Sequence, residues 1–199
     1  MDADKKYFVQ DTSQDQYLKD FERTYTGVDM EVYADFLSGL LPVSVGLSLR
    51  GEYIFGAQPG TSSSASAYSA AKGASNLYLR NFSGYYFTYV QNVGDKLQGV
   101  LKYDVFDPNT DVKGSDIDSL GIKKGRLSAA DLMYSTLGLG LIYHWDENIK
   151  FVLYYDMVAN ETLETSEVKK LPLADQQNLR WYTEDLKDDV VTFRIQYKF

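Results

Sequence analysis

An all-β, antiparallel fold of the transmembrane β-barrel type is predicted by three features of this sequence. The last ten residues, Val190 to Phe199 (VVTFRIQYKF), alternate without a break. Val191, Phe193, Ile195, Tyr197 and Phe199 share one face, and Val190, Thr192, Arg194, Gln196 and Lys198 share the other. Period-two patterning of this length marks a strand with one face in an apolar medium. Apolar on one side, cationic on the other and ending on an aromatic ring, it suits the closing strand of a membrane barrel. The second feature is that six further segments alternate in the same way. The third is that the connections between segments alternate strictly between short and long.

The first segment, about Val28 to Phe36, sets Val28, Met30, Val32, Ala34 and Phe36 against Asp29, Glu31, Tyr33 and Asp35. The second, Val43 to Phe55, sets Val43, Val45, Leu47, Leu49 and Tyr53 against Ser44, Ser48, Arg50 and Glu52. In the third, about Leu77 to Gln91, Tyr85, Phe87 and Tyr89 oppose Arg80, Tyr86 and Thr88. The fourth, Leu97 to Phe106, opposes Leu97, Leu101, Tyr103 and Val105 to Lys102 and Asp104. The fifth, about Leu132 to Trp145, carries Leu137, Leu139, Leu141, Tyr143 and Trp145 on one face. In the sixth, Ile149, Phe151, Leu153, Tyr155 and Met157 oppose Lys150, Tyr154 and Asp156.

Ser38 to Pro42, Asn92 to Lys96 and Asp146 to Asn148 read as tight turns. Long polar loops are expected at 58–76, 108–130 and 159–188. Short turns on one side and long loops on the other is the layout of outer-membrane barrels, periplasmic and extracellular respectively. A soluble sandwich has no reason to sort its loops in this way.

Composition narrows the classes further. The 199 residues contain no cysteine and a single histidine, which excludes a disulfide framework and a multi-histidine metal site. A net charge of −8 argues against a nucleic-acid partner, which clustered Lys and Arg would serve. No stretch approaches the roughly 20 apolar residues of a membrane helix. The mildly polar mean hydropathy is compatible with a barrel, because only alternate residues face lipid. Seventeen tyrosines and ten phenylalanines suit rings placed at membrane interfaces. Tyr85, Phe87, Tyr89, Tyr143, Trp145 and Phe199 are expected to form such a belt near the short turns.

Seven strands are an odd number, and single-chain bacterial barrels of this kind have an even one. With the C-terminus periplasmic, residues 1–23 fall on the extracellular side as a loop. The expectation is a single β-barrel region over 1–199, N-terminally truncated, with the strands and loops within 24–199. No leader is seen after Met1, where Asp2, Asp4, Lys5 and Lys6 stand.

Several strings extend the argument: YTGVDMEVYADF, LRGEYIFGAQPGT, YLRNFSGYYFTYVQNVG, LKYDVFDPNTDVKG, STLGLGLIYHWDENIKFVLYYDMVANE and TFRIQYKF. Together, over about residues 24–199, they resemble the C-terminal half of outer-membrane porins of the phosphate-selective porin O/P-like family. The resemblance implies a 16-stranded, homotrimeric barrel in the outer membrane, surrounded by lipid. It implies passive diffusion of small anionic or neutral solutes, without a cofactor and without catalysis.

The candidate pore-lining residues are Arg50, Glu52, Arg80, Lys102, Asp104, Lys150, Asp156 and Arg194. With Asp29, Glu31, Asp35 and Lys198, this face is balanced in sign, which does not make an anion filter. The same charges would also serve as a salt-bridge lattice that stiffens the wall. A weak calcium candidate is Asp107, Asn109 and Asp111, which with Ser115 and Asp118 fall at positions 1, 3, 5, 9 and 12 of a calcium loop. The glycine that such a loop needs at position 6 is Val112, so a turn capped by Asp107-Pro108-Asn109 is the plainer reading. His144, with Trp145 and Asp146, lies beside a short turn, and no serine or second acid is spaced for catalysis. The rival reading is a secreted, soluble β-sandwich that binds glycans through surface tyrosines.

Overall fold

The computed structural model describes residues 8–9, 24–34, 46–60, 78–123 and 127–199. Alternation produces the strands β1 (Phe8–Val9), β2 (Thr24–Ala34), β3 (Leu47–Gly60), β4 (Tyr78–Val93), β5 (Leu97–Asp107), β6 (Tyr134–His144), β7 (Ile149–Asn160) and β8 (Val190–Tyr197). β2 to β8 form one antiparallel sheet in chain order, each strand pairing with the next. The sheet is not closed, and β2 and β8 are its two ends. β1 stands off this path and pairs with the start of β4, Phe8 opposite Leu79 and Val9 opposite Tyr78.

Several strand limits differ from the sequence reading by a few residues, and β7 runs on to Asn160, so residues 159–160 belong to a strand and not to the expected loop. β2 begins at Thr24 rather than Val28, because Thr24 and Thr26 put polar side chains on the apolar face and Tyr25 puts a ring on the other, so no alternation shows there. β3 runs on to Gly60, so residues 58–60 belong to a strand and not to a loop. The rest of the expected 58–76 loop lies outside the described residues, as do the Ser38–Pro42 turn, Asp35 and nearly all of 1–23.

The two short connections close as their residues dictate. Gly94 takes a positive φ of 66° in the turn from β4 to β5, a conformation open to glycine at no steric cost. Between β6 and β7, Asp146 Oδ1 accepts from the backbone N–H groups of Asn148 and Ile149, both at 2.8 Å. This Asx turn lets a short side chain stand in for a backbone acceptor.

The loops after β5 and β7 are folded elements rather than loose polar linkers. The first holds a 3₁₀ turn at Gly114–Asp116, α1 (Ser119–Lys123) and a second 3₁₀ turn at Ala129–Asp131. The second holds α2 (Thr165–Val168), α3 (Leu173–Leu179) and a 3₁₀ turn at Arg180–Thr183. The two share a core of Val112, Ile117, Leu127, Leu132, Leu163 and Val168, all buried. Glu161 clamps them by accepting from Gly114 N–H at 3.0 Å and Met133 N–H at 3.1 Å. The densest apolar packing among the described residues thus lies at the loop end, not over the sheet.

Candidate functional site

The register decides which side chains share a face. Val32 pairs with Leu49, Leu49 with Tyr89, Tyr89 with Leu101, Leu101 with Leu139, and Leu139 with Tyr155. Cross-strand partners project from the same side. One face of the sheet is therefore apolar from β2 to β8, and its one charge among the described strand residues is Asp107, at the loop end of β5. Its side chains are exposed, Leu139 and Leu141 at 47% and Phe193 at 64%. The opposite face carries the other strand charges.

On that polar face, rows run across the strands. One row places Glu31, Arg50, Thr88, Lys102, Gly138 and Asp156 side by side. The next row toward the loops holds Asp29, Glu52, Tyr86, Asp104 and Thr136. Lys102 Nζ lies 2.6 Å from Asp104 Oδ1. The Arg50 guanidinium stands 5.8 Å from the centre of the Tyr86 ring, a cation–π approach. Tyr33 donates its hydroxyl to Glu31 Oε1 at 2.6 Å. Nearer the short turns, Lys150 pairs with His144 and Gln196, and Arg194 with Val152. His144 Nε2 lies 3.3 Å from Gln98 Oε1.

Arg80 departs from the expected pore-lining set, although it lies on the same face. It is 1% exposed, with its Nε 2.5 Å from Asp131 Oδ1. Asp131 also accepts from the Asn109 amide at 2.9 Å and, through Oδ2, from Ser128 N–H at 2.9 Å. Arg80 therefore ties the first loop to β4 and does not face open space. Its strand position was readable from sequence, but the loop folding over it was not.

The side chains of the weak calcium candidate are each engaged within the protein, as the capped-turn reading expects. Asp107 Oδ1 accepts from Asn109 N–H at 3.0 Å, and its Oδ2 lies 3.7 Å from Lys113 Nζ. The Asn109 amide turns to Asp131, while Asp111 accepts from the Asn81 amide at 3.0 Å. Three side chains aimed at three partners make a capped turn, and no metal-holding cluster occurs among the described residues.

The aromatic rings sort to two ends rather than one. Tyr143, Trp145 and Phe151 form an edge-to-face series at 6.4 Å steps beside the short turn, with Tyr197 at the end of β8 5.4 Å from Phe199 just beyond it. Tyr85 instead lies 6.2 Å from Tyr103, nearer the loops, while Phe87 is two residues further along β4. Tyr85 is eight residues from Val93, about 27 Å at ~3.4 Å per residue. Only part of the expected belt is therefore at the short-turn end.

Sequence reading also missed a fitted joint on the polar face. A Cβ at Gly138 would sit 2.6 Å from Tyr154 Cε1, and one at Gly140 would strike the same ring. The Tyr154 ring thus lies over two glycines of β6, covering backbone that they leave bare. Gly140→Val is expected to cost about 1–3 kcal/mol by overpacking. A lowered urea midpoint, partly restored by adding Tyr154→Ala, would be the measurement.

Two loop acids fix the cap. The hydroxyl of Tyr155 donates to Asp189 at 2.6 Å and Val158 N–H donates at 3.0 Å, and these bonds hold the Asp189 pKa below its ordinary value. The tie is present above the unfolded aspartate range and is lost only as pH falls through the lowered value. Glu167 is lowered mainly by its bond to Lys170, and it also accepts from Ser119 N–H of the other loop at 3.1 Å.

No family model matches the chain, and no curated protein or solved structure matches it.

Proposed function

We propose that these strands form part of the wall of an outer-membrane porin, similar to the phosphate-selective porin O/P-like family, through which small hydrophilic solutes diffuse passively. The observation that carries this reading is the separation of charge by face across seven registered strands, with the apolar face left open. In water, Val28, Met30, Phe87, Leu139, Leu141 and Phe193 would each forgo about 1.5–3 kcal/mol of burial. Lipid against that face removes the problem, and the polar face then borders the aqueous path. A sandwich would cover the apolar face with a second sheet, and the described residues contain none.

On this reading Arg50, Glu52, Lys102, Asp104, Lys150, Asp156 and Arg194 line the path. Both free sheet edges must be paired in lipid, since each bare backbone group there costs several kcal/mol. Closure therefore takes further strands, and trimer formation goes with the same resemblance. A preference for phosphate is not part of the proposal, because the wall carries both signs.

Reconstituting the full-length gene product into liposomes tests the reading. Swelling in small neutral sugars, together with heat-modifiable migration in detergent, is the expected result. A protein that stays monodisperse in plain buffer and leaves liposomes tight would refute it.

A further inference from the structure

The polar face carries an order of signs that simple diffusion does not need. Arg50 of β3 and Lys102 of β5 share one row, with Thr88 of β4 between them. Glu52 and Asp104 share the next row toward the loops, with Tyr86 between them. Residues two apart on a strand are separated by about 7 Å, and alternate strands by about 10 Å. The result is a plate with two cations on its short-turn side and two carboxylates on its loop side. A hydroxyl and a phenol fill the middle.

The surroundings reinforce the order on one side and dilute it on the other. Asp29 extends the carboxylate row on β2, while Glu31 and Asp156 flank the cationic row and leave it neutral overall. Further toward the short turns come Arg194 and Lys150. The sequence of rows is therefore negative, then balanced, then positive. The Lys102 and Asp104 side chains are partly exposed, at 40% and 23%, while Asp104 Oδ1, the oxygen that Lys102 meets, is itself covered.

We propose, resting on the porin reading, that this plate favours dipolar solutes, free amino acids and short peptides, over neutral solutes of equal size. The ammonium group points to Glu52 and Asp104, and the carboxylate to Arg50 and Lys102. A solute with no net charge is repelled by neither row and gains from both.

The test compares the flux of glycylglycine with that of a neutral sugar alcohol of similar mass in liposomes holding the full-length product. The wild-type ratio is expected to favour the dipeptide about two- to fivefold. Arg50→Gln with Lys102→Gln, and separately Glu52→Gln with Asp104→Asn, should each bring the ratio near one. The charge-keeping pair Glu52→Asp with Asp104→Glu should retain it. A wild-type ratio of one, or a ratio indifferent to both neutralised pairs, overturns the proposal and leaves the porin reading standing. Wild-type liposomes that pass neither solute overturn both.

Discussion

Asp131→Ala is expected to free the first long loop from the sheet while leaving the strands assembled. Arg80 and Asp131 are both 1% exposed, and their side chains meet at 2.5 Å. Removing one partner of a buried ion pair typically costs about 3–5 kcal/mol, because the remaining charge stays in a poorly solvated place. Here the loss is local. Asp131 also holds the Asn109 amide and Ser128 N–H, so the turn at Ala129–Asp131 loosens with it. Limited proteolysis should cut within 108–133 at least tenfold faster, since about 1.4 kcal/mol of local opening already gives that factor. Replacing both residues by leucine should be milder than either single change, as no buried charge remains. Equal cutting in wild type and Asp131→Ala would show that the loop is held by its apolar core alone.

That pair also marks where sequence reasoning stops. The strands were legible wherever one face meets one medium, as in Leu137, Leu139, Leu141 and Tyr143 or in Val191, Phe193, Ile195 and Tyr197. The face of Arg80 followed from the same alternation. Its partner did not, because Asp131 lies 51 residues away on a connection without a period. The loop core had a visible signal in Val112, Ile117, Leu127, Leu132, Leu163 and Val168. Their spacing matches neither 2 nor 3.6, because the chain turns repeatedly between them. The Tyr154 joint needed the register as well, since a ring can be matched to Gly138 and Gly140 only once β6 and β7 are aligned. The charged rows are a similar case. Sequence put Arg50, Glu52, Lys102 and Asp104 on one face, and only the pairing set cation beside cation and acid beside acid across β4.

Leu139→Arg carries the other large expected effect, and it separates a lipid-facing sheet from a water-facing one. Leu139 sits on the apolar face between Leu101 and Tyr155, with Leu137 and Leu141 along its own strand. The nearest described carboxylate is Asp189, which is already engaged by the hydroxyl of Tyr155 and by Val158 N–H. In a bilayer a lipid-facing arginine near the midplane costs about 2–4 kcal/mol. On a sheet bathed in water, with Leu139 already 47% exposed, the same change would stay within about 0.5 kcal/mol. Thr136→Arg is the matched control. It lies three residues away on the opposite face, directly across from Asp104, where a cation meets a carboxylate. Urea unfolding in lipid vesicles should therefore show a large loss for Leu139→Arg and little for Thr136→Arg. A similar response from the two variants would mean that the faces meet the same medium, and the membrane reading would fail whatever the strands resemble.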